Sequence, residues 1–170
     1  YNLDELFEAI GEYAFPVPET SNLVIDMANG LLTETFVSDV FGDGMDYQIA
    51  IENFEALDIE TDGNLTIVGS DGDDYVQLDR GPNYLSYAGG DGFDILDISP
   101  LQYQFDANNI LPLTREVFEQ VFVWVGNDSS FVELFTLDNI KIAEITDVEE
   151  IRFAGSTEDY EGFAVADLLQ

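Results

Sequence analysis

Hydrophobic and polar positions follow different rhythms at the two ends of this chain, with a glycine- and aspartate-dense tract between them. Leu3, Leu6, Phe7 and Ile10 recur at helical spacing, which predicts a short amphipathic helix. Asn2 can cap it, Glu5 stands three residues on as in a capping box, and Pro16 and Pro18 end it. Leu23-Val24-Ile25-Asp26-Met27 reads as a strand running into a turn at Asn29-Gly30. Beyond Pro100, the runs 102–105, 121–125, 131–137, 140–143 and 148–153 alternate or stay apolar and predict strands, with Asp138-Asn139 as a hairpin turn. Thr114 to Gln120 has room for a turn or two of helix, because Val117, Phe118, Val121 and Phe122 share a helical face. Phe163 to Leu169 predicts a short closing helix.

Between residues 42 and 99 the pattern becomes periodic. Glycines stand at 63, 72 and 81, and the aliphatics Ile67, Val76 and Leu85 each follow four residues later. Gly92 and Leu96 keep the four-residue offset but arrive eleven later, which predicts a two-residue insertion near Tyr87-Ala88. Two columns displaced together mark a nonapeptide repeat. Its clearest copies are Gly69-Ser70-Asp71-Gly72-Asp73-Asp74-Tyr75-Val76-Gln77 and Gly89-Gly90-Asp91-Gly92-Phe93-Asp94-Ile95-Leu96-Asp97. Glycines permit tight turns, the turn's unpaired carbonyls with one aspartate make an oxygen cage, and every second strand residue faces inward.

Composition sharpens the chemistry. Among 170 residues, 36 acids face four bases (Arg80, Arg115, Lys141 and Arg152), a formal charge of −32. Four scattered cations cannot neutralise phosphates, so nucleic acids and anionic membrane surfaces are excluded as partners. No apolar run approaches the roughly 18 residues of a membrane span. With neither histidine nor cysteine, there is no serine–histidine triad, thiol nucleophile, disulfide or ordinary zinc site. Only oxygen ligands remain, and these suit hard cations such as calcium. Hydrophobic residues at 46% nevertheless specify a folded domain, one whose self-repulsion should be relieved by bound cations. The start at Tyr1 and the lack of a cleavable signal suggest a processed form or a fragment.

These repeats resemble the calcium-binding repeat of RTX (hemolysin-type) proteins, G-G-x-G-x-D-x-U-x, with U a large aliphatic. The entry segments 22–30 and 51–55, and the closing segment 145–153, are similar to the family as well, so about half to two-thirds of the chain is covered. The resemblance implies an all-β fold, a short right-handed parallel β-roll in which each repeat forms half a coil. Residues 1–20 are then an N-terminal helix and linker, 21–99 the roll with its entry strands, and 100–170 an antiparallel β-rich cap. Family calcium lies between turns of repeats i and i+2. The aspartate column reads Leu65, Asp74, Asn83, Asp94, so one edge carries both acids. The expectation is one calcium ion bridged by Asp74 and Asp94, its site completed by the 69–74 and 89–94 turns with Gly69, Asp71, Gly72, Gly89, Asp91 and Gly92 as further metal-site residues, and a weak opposite edge at Leu65 and Asn83. A second ion at Asp46 with Asp43 or Asp62 competes with an ordinary turn at 42–46.

By the same resemblance, the chain is expected to be a secreted calcium-binding module, exported unfolded by type I secretion from a Gram-negative bacterium and folding at or beyond the cell surface. The alternative is a self-associating subunit of a surface layer, adhesin or filament, since the ends of a roll expose strand edges. An enzyme is not expected. Carboxylate pairs such as Glu149-Glu150, or Glu133 with Glu144, do not stand out among 36 acids as a glycosidase pair. Phe36, Phe41, Phe118, Phe122, Trp124, Phe131 and Phe135 are expected in the core rather than on a carbohydrate platform.

Overall fold

The computed structural model describes residues 21–36, 46–50, 56–59, 63–128, 130–155 and 159–169. The expected N-terminal helix, the entry segment 51–55, the turn at 42–45 and Asp62 lie outside these residues. The described chain is mostly β. Its strands are β1 (Ser21–Asp26), β2 (Leu31–Phe36), β3 (Asp46–Ala50), β4 (Ala56–Ile59), β5 (Asn64–Val68), β6 (Tyr75–Leu78), β7 (Tyr84–Ala88) and β8 (Ile95–Asp97). Then come the hairpin β9 (Gln102–Asp106) and β10 (Asn109–Pro112), helix α1 (Arg115–Val121), β11 (Phe122–Asp128) and β12 (Phe131–Thr136). The remainder is β13 (Lys141–Thr146), β14 (Glu150–Ala154), β15 (Tyr160–Ala164) and the single turn α2 (Val165–Leu168).

Two sheets face each other across the core. One has the order β11-β12-β13-β7-β5-β1-β2-β3, the other β15-β14-β8-β6-β4. From β4 to β8 each successive strand joins the sheet opposite its predecessor, and β13 and β14 repeat the step later in the chain. Neighbours within this alternating set are parallel (β5 with β7, β7 with β13, β4 with β6, β6 with β8, and β8 with β14), and β1 also joins β5 in parallel. The wings β1-β2-β3, β11-β12-β13 and β14-β15 are antiparallel.

Alternation along each strand decides which face is buried. Leu65 and Ile67 of β5, Val76 and Leu78 of β6, Leu85 and Tyr87 of β7, and Leu96 of β8 all point into the shared core. Ala143, Ile145, Ile151 and Phe153 extend the same ladder through β13 and β14. Burying an aliphatic of this size contributes about 1.5–3 kcal/mol. These inward positions together therefore outweigh what any single surface contact supplies.

The register corrects the sequence repeat. Leu65 lies opposite Leu85 and Val76 opposite Leu96, an offset of twenty on both sheets. Val76 to Leu85 keeps the nine-residue step, so the two extra residues lie between Leu85 and Gly89, around Tyr87-Ala88 as expected. A second such pair lies between Leu65 and Gly69 and takes Ile67 out of the column. Ile67 pairs with Tyr87 rather than Leu85, and Asn83 sits at the level of Gly63, to whose carbonyl its N–H donates at 2.9 Å.

The rest of the described chain closes the core. Thr114 caps α1, its Oγ1 accepting from the Val117 N–H at 3.3 Å. Phe118 is buried against Trp124, Phe122 and Phe153, with ring centroids 5.0, 4.9 and 5.3 Å away. Phe131, expected inside, is instead 44% exposed, because β12 turns Val132 and Leu134 inward. The Asp138-Asn139 turn forms as expected, with Asn139 at φ 63°. The expected helix from Phe163 shrinks to α2, because residues 160–164 pair with β14.

Candidate metal centre

The twenty-residue offset lays the turn 89–94 directly over the turn 69–74. Gly69 N–H donates to the Ala88 carbonyl at 2.7 Å, and Gly89 N–H to the Thr146 carbonyl at 2.8 Å, so the segment 147–149 forms a third level. Approach between levels is close. A Cβ at Gly89 would overlap the Asp147 carbonyl oxygen and Asp94 Oδ2, and one at Gly69 would overlap the Gly89 carbonyl. Gly92 has φ +122° and lies against the Gly72 carbonyl, so both its conformation and its space require glycine. Gly72 differs, since a side chain there would meet nothing nearer than Ser70 Oγ at 3.8 Å.

The aspartates sort by depth. Asp74 is 2% exposed and Asp94 0%, whereas Asp71, Asp73 and Asp91 are exposed. Asp74 is held within its own turn, Oδ2 accepting from Ser70 N–H at 2.6 Å and Oδ1 from Ser70 Oγ at 2.9 Å. Between levels the hydrogen bonds form a relay. Asp74 N–H donates to Asp94 Oδ1 at 2.8 Å, and Asp94 N–H donates to Glu149 Oε2 at 2.7 Å. Phe93 N–H donates to Asp73 Oδ1 at 2.8 Å, so exposed Asp73 ties the same two turns together. The structure thus brings Asp74, Asp94 and the four glycines into adjacent turns, and leaves the side chains of Asp71 and Asp91 facing solvent.

Asp94 Oδ2 is buried without a hydrogen-bond partner. A buried carboxylate oxygen left in this state is costly unless a proton or cation meets it. Burial, and then the charges of Asp74, Glu149 and Asp73, push the Asp94 carboxyl up to about 6 against the lowering effect of the Asp74 N–H. Tyr87, 1% exposed, also has an unpartnered hydroxyl, and its acidity is suppressed by burial and then by Asp94, Asp74 and Glu149. Asp97, the third buried carboxylate, is by contrast satisfied by the Tyr75 hydroxyl and by Ser99 N–H.

Among the described residues no three acidic side chains gather into a ready cage. The acceptors here are two stacked carboxylates with turn carbonyls, an all-oxygen set that fits a hard cation. The opposite edge changes its expected content: Leu65 pairs with Leu85, both buried, and Asn83 lies against Gly63 instead of Leu65. Of the second candidate ion site, only the backbone of Asp46, opening β3, lies within the described residues. Two residues beside Asp94 were not expected there from the sequence, Glu149 and Tyr87. Tyr87 is signalled by inward phase once β7 is in register, and Glu149 only by the parallel placement of β13 and β14. The chain matches no protein-family model and no curated protein.

Proposed function

We propose that this chain is a secreted calcium-binding module in which stacked glycine–aspartate turns hold the ion and the ion stabilises the fold. On this reading the alternating parallel strands form a short right-handed roll of the RTX type. Asp74 and Asp94 supply carboxylates to one ion, and carbonyls of the 69–74 and 89–94 turns complete its shell. One observation carries the reading: a fully buried carboxylate oxygen, Asp94 Oδ2, with no donor, in a chain of net charge −32.

The chain's own residues do three things. The glycines let the turns approach until carbonyls of one face the next, the aliphatic ladder fixes that spacing, and Ser70 orients Asp74. A bound divalent cation supplies charge neutralisation that the four basic residues cannot. Extracellular modules of this kind bind calcium at about 10⁻⁴–10⁻³ M, which suits folding after export from calcium-poor cytosol. Calorimetric titration with calcium tests the reading. The wild-type chain is expected to bind, Asp94→Asn to lose binding, and Asp74→Asn to weaken it at least tenfold. Unaltered binding in both variants would refute the assignment.

A second reading, a self-associating surface subunit, is favoured by β11. It is the outermost strand of its sheet and exposes Val123 at 45% and Val125 at 47%. Light scattering in calcium separates the two, since a module stays monomeric and a subunit grows with concentration. No helix among the described residues is long and apolar enough to cross a membrane.

A further inference from the structure

The third level above the glycine–aspartate turns has no glycine–aspartate sequence. Asp147, Val148 and Glu149 reach it because β13 pairs with β7 and β14 with β8, after an excursion of about fifty residues. Asp147 adopts φ 49°, its N–H donates to the Ser130 carbonyl at 3.1 Å, and Val148 is buried. The contact with Asp94 is reciprocal. Glu149 and Glu150 N–H groups donate to the Asp94 carbonyl at 3.0 and 3.2 Å, while Asp94 N–H donates to Glu149 Oε2.

The two Asp94 oxygens are not equivalent. Oδ1 accepts from the level below, through Asp74 N–H. Oδ2 has no partner and lies beside Gly89, in the space that the Asp147 carbonyl also faces, since a single Cβ at Gly89 would overlap both oxygens. Two acceptors directed at one small space, with no donor between them, repel unless a cation or a proton intervenes. The buried Tyr87 hydroxyl, likewise unpartnered, comes from the strand leading into the same turn.

We infer that the segment 147–149 supplies part of the ion's shell, through the Asp147 carbonyl beside Asp94 Oδ2 and through the Glu149 carboxylate that meets the Asp94 N–H, with the Tyr87 hydroxyl on the core side. This rests on the calcium reading above and extends it: the ion clasps the β13–β14 pair, distant in sequence, onto the repeat turns. It then acts as a latch between the two halves of the chain rather than as a bridge within the repeats alone.

Calcium titration of the full chain, with hydrogen exchange followed residue by residue, tests the latch. Glu149→Gln keeps an oxygen for the Asp94 N–H, so its melting temperature in chelator should match wild type while its calcium affinity falls at least tenfold. Glu150→Gln, whose carboxylate instead meets Arg152, should bind as wild type. In the wild-type chain calcium should slow amide exchange across 143–151 as strongly as across 69–96, a readout independent of how any variant folds. Wild-type affinity in Glu149→Gln, or protection confined to 69–96, would overturn the latch and leave the calcium reading standing. A wild-type chain that binds no calcium would overturn both. If Asp94 Oδ2 is met only by a proton, calcium leaves exchange across 143–151 unaltered, which again refutes the latch.

Discussion

Gly89 and Asp94 carry opposite kinds of constraint within one turn. Gly89 has no space for a side chain, because the Asp147 carbonyl occupies it. Gly89→Ala must push two levels apart, and a loss of about 1–3 kcal/mol is expected in denaturant unfolding; Gly72→Ala, facing open space, should cost under about 1 kcal/mol. Asp94 is constrained by charge. Its folded-state value is raised from 3.8 to about 6, so the metal-free fold favours the neutral acid. The sign follows: in chelator, stability contributed by protonated Asp94 is present below pH 4 and is lost as pH rises through about 6. The added stability from calcium should therefore be larger at pH 7 than at pH 5. Asp94→Asn should flatten the metal-free slope over that window in melts at matched pH, and an unchanged slope would count against a buried, unpartnered carboxylate. Asp74 and Asp94 were legible in the sequence because both stand two residues before an inward aliphatic, Val76 and Leu96. Glu149 was not, since its place depends on strand pairing across about fifty residues and no local pattern encodes that.

At the scale of elements, the strands are set by inward aliphatics and the turns by glycine. Leu96 is buried where β8 meets β6 and β14, and Leu96→Ala is expected to destabilise by about 2–5 kcal/mol in denaturant unfolding. Thr114→Ala, which removes only the α1 cap, should cost about 1 kcal/mol. Most strands could be read from alternation, yet the register between them was misplaced by two residues. The reason is physical. Gly81 imitates a repeat glycine, but a Cβ there would meet nothing within 4 Å, so it makes no close approach of the kind that identifies Gly69 and Gly89. Leu85 and Tyr87 both face inward, and glycine spacing alone could not tell which of them continues the column of Ile67. The C-terminal residues 160–164 were misread for a related reason: a segment with two apolar positions suits a helix or an edge strand, and pairing with β14 decides in favour of the strand.

For the whole molecule, charge is the term that the apolar core does not resolve. Lys141 meets Glu133 and Glu144, Arg152 meets Glu150 and stacks on Tyr160 at 4.3 Å, and Arg115 meets Glu119. Partly exposed pairs of this kind contribute about 0–1 kcal/mol each, too little to offset a net −32. Sodium chloride should therefore stabilise the chain by screening, and a bound divalent ion should do more at equal ionic strength because it acts where the carboxylates are buried. The measurement that bears most directly on the central claim is a pair of thermal melts of the wild-type chain, in millimolar calcium and in chelator, with ionic strength held equal. At about ten times the dissociation constant, binding adds about 1.4 kcal/mol, so a rise of about 3–6 °C is expected in calcium. Superimposable melts under the two conditions would contradict it.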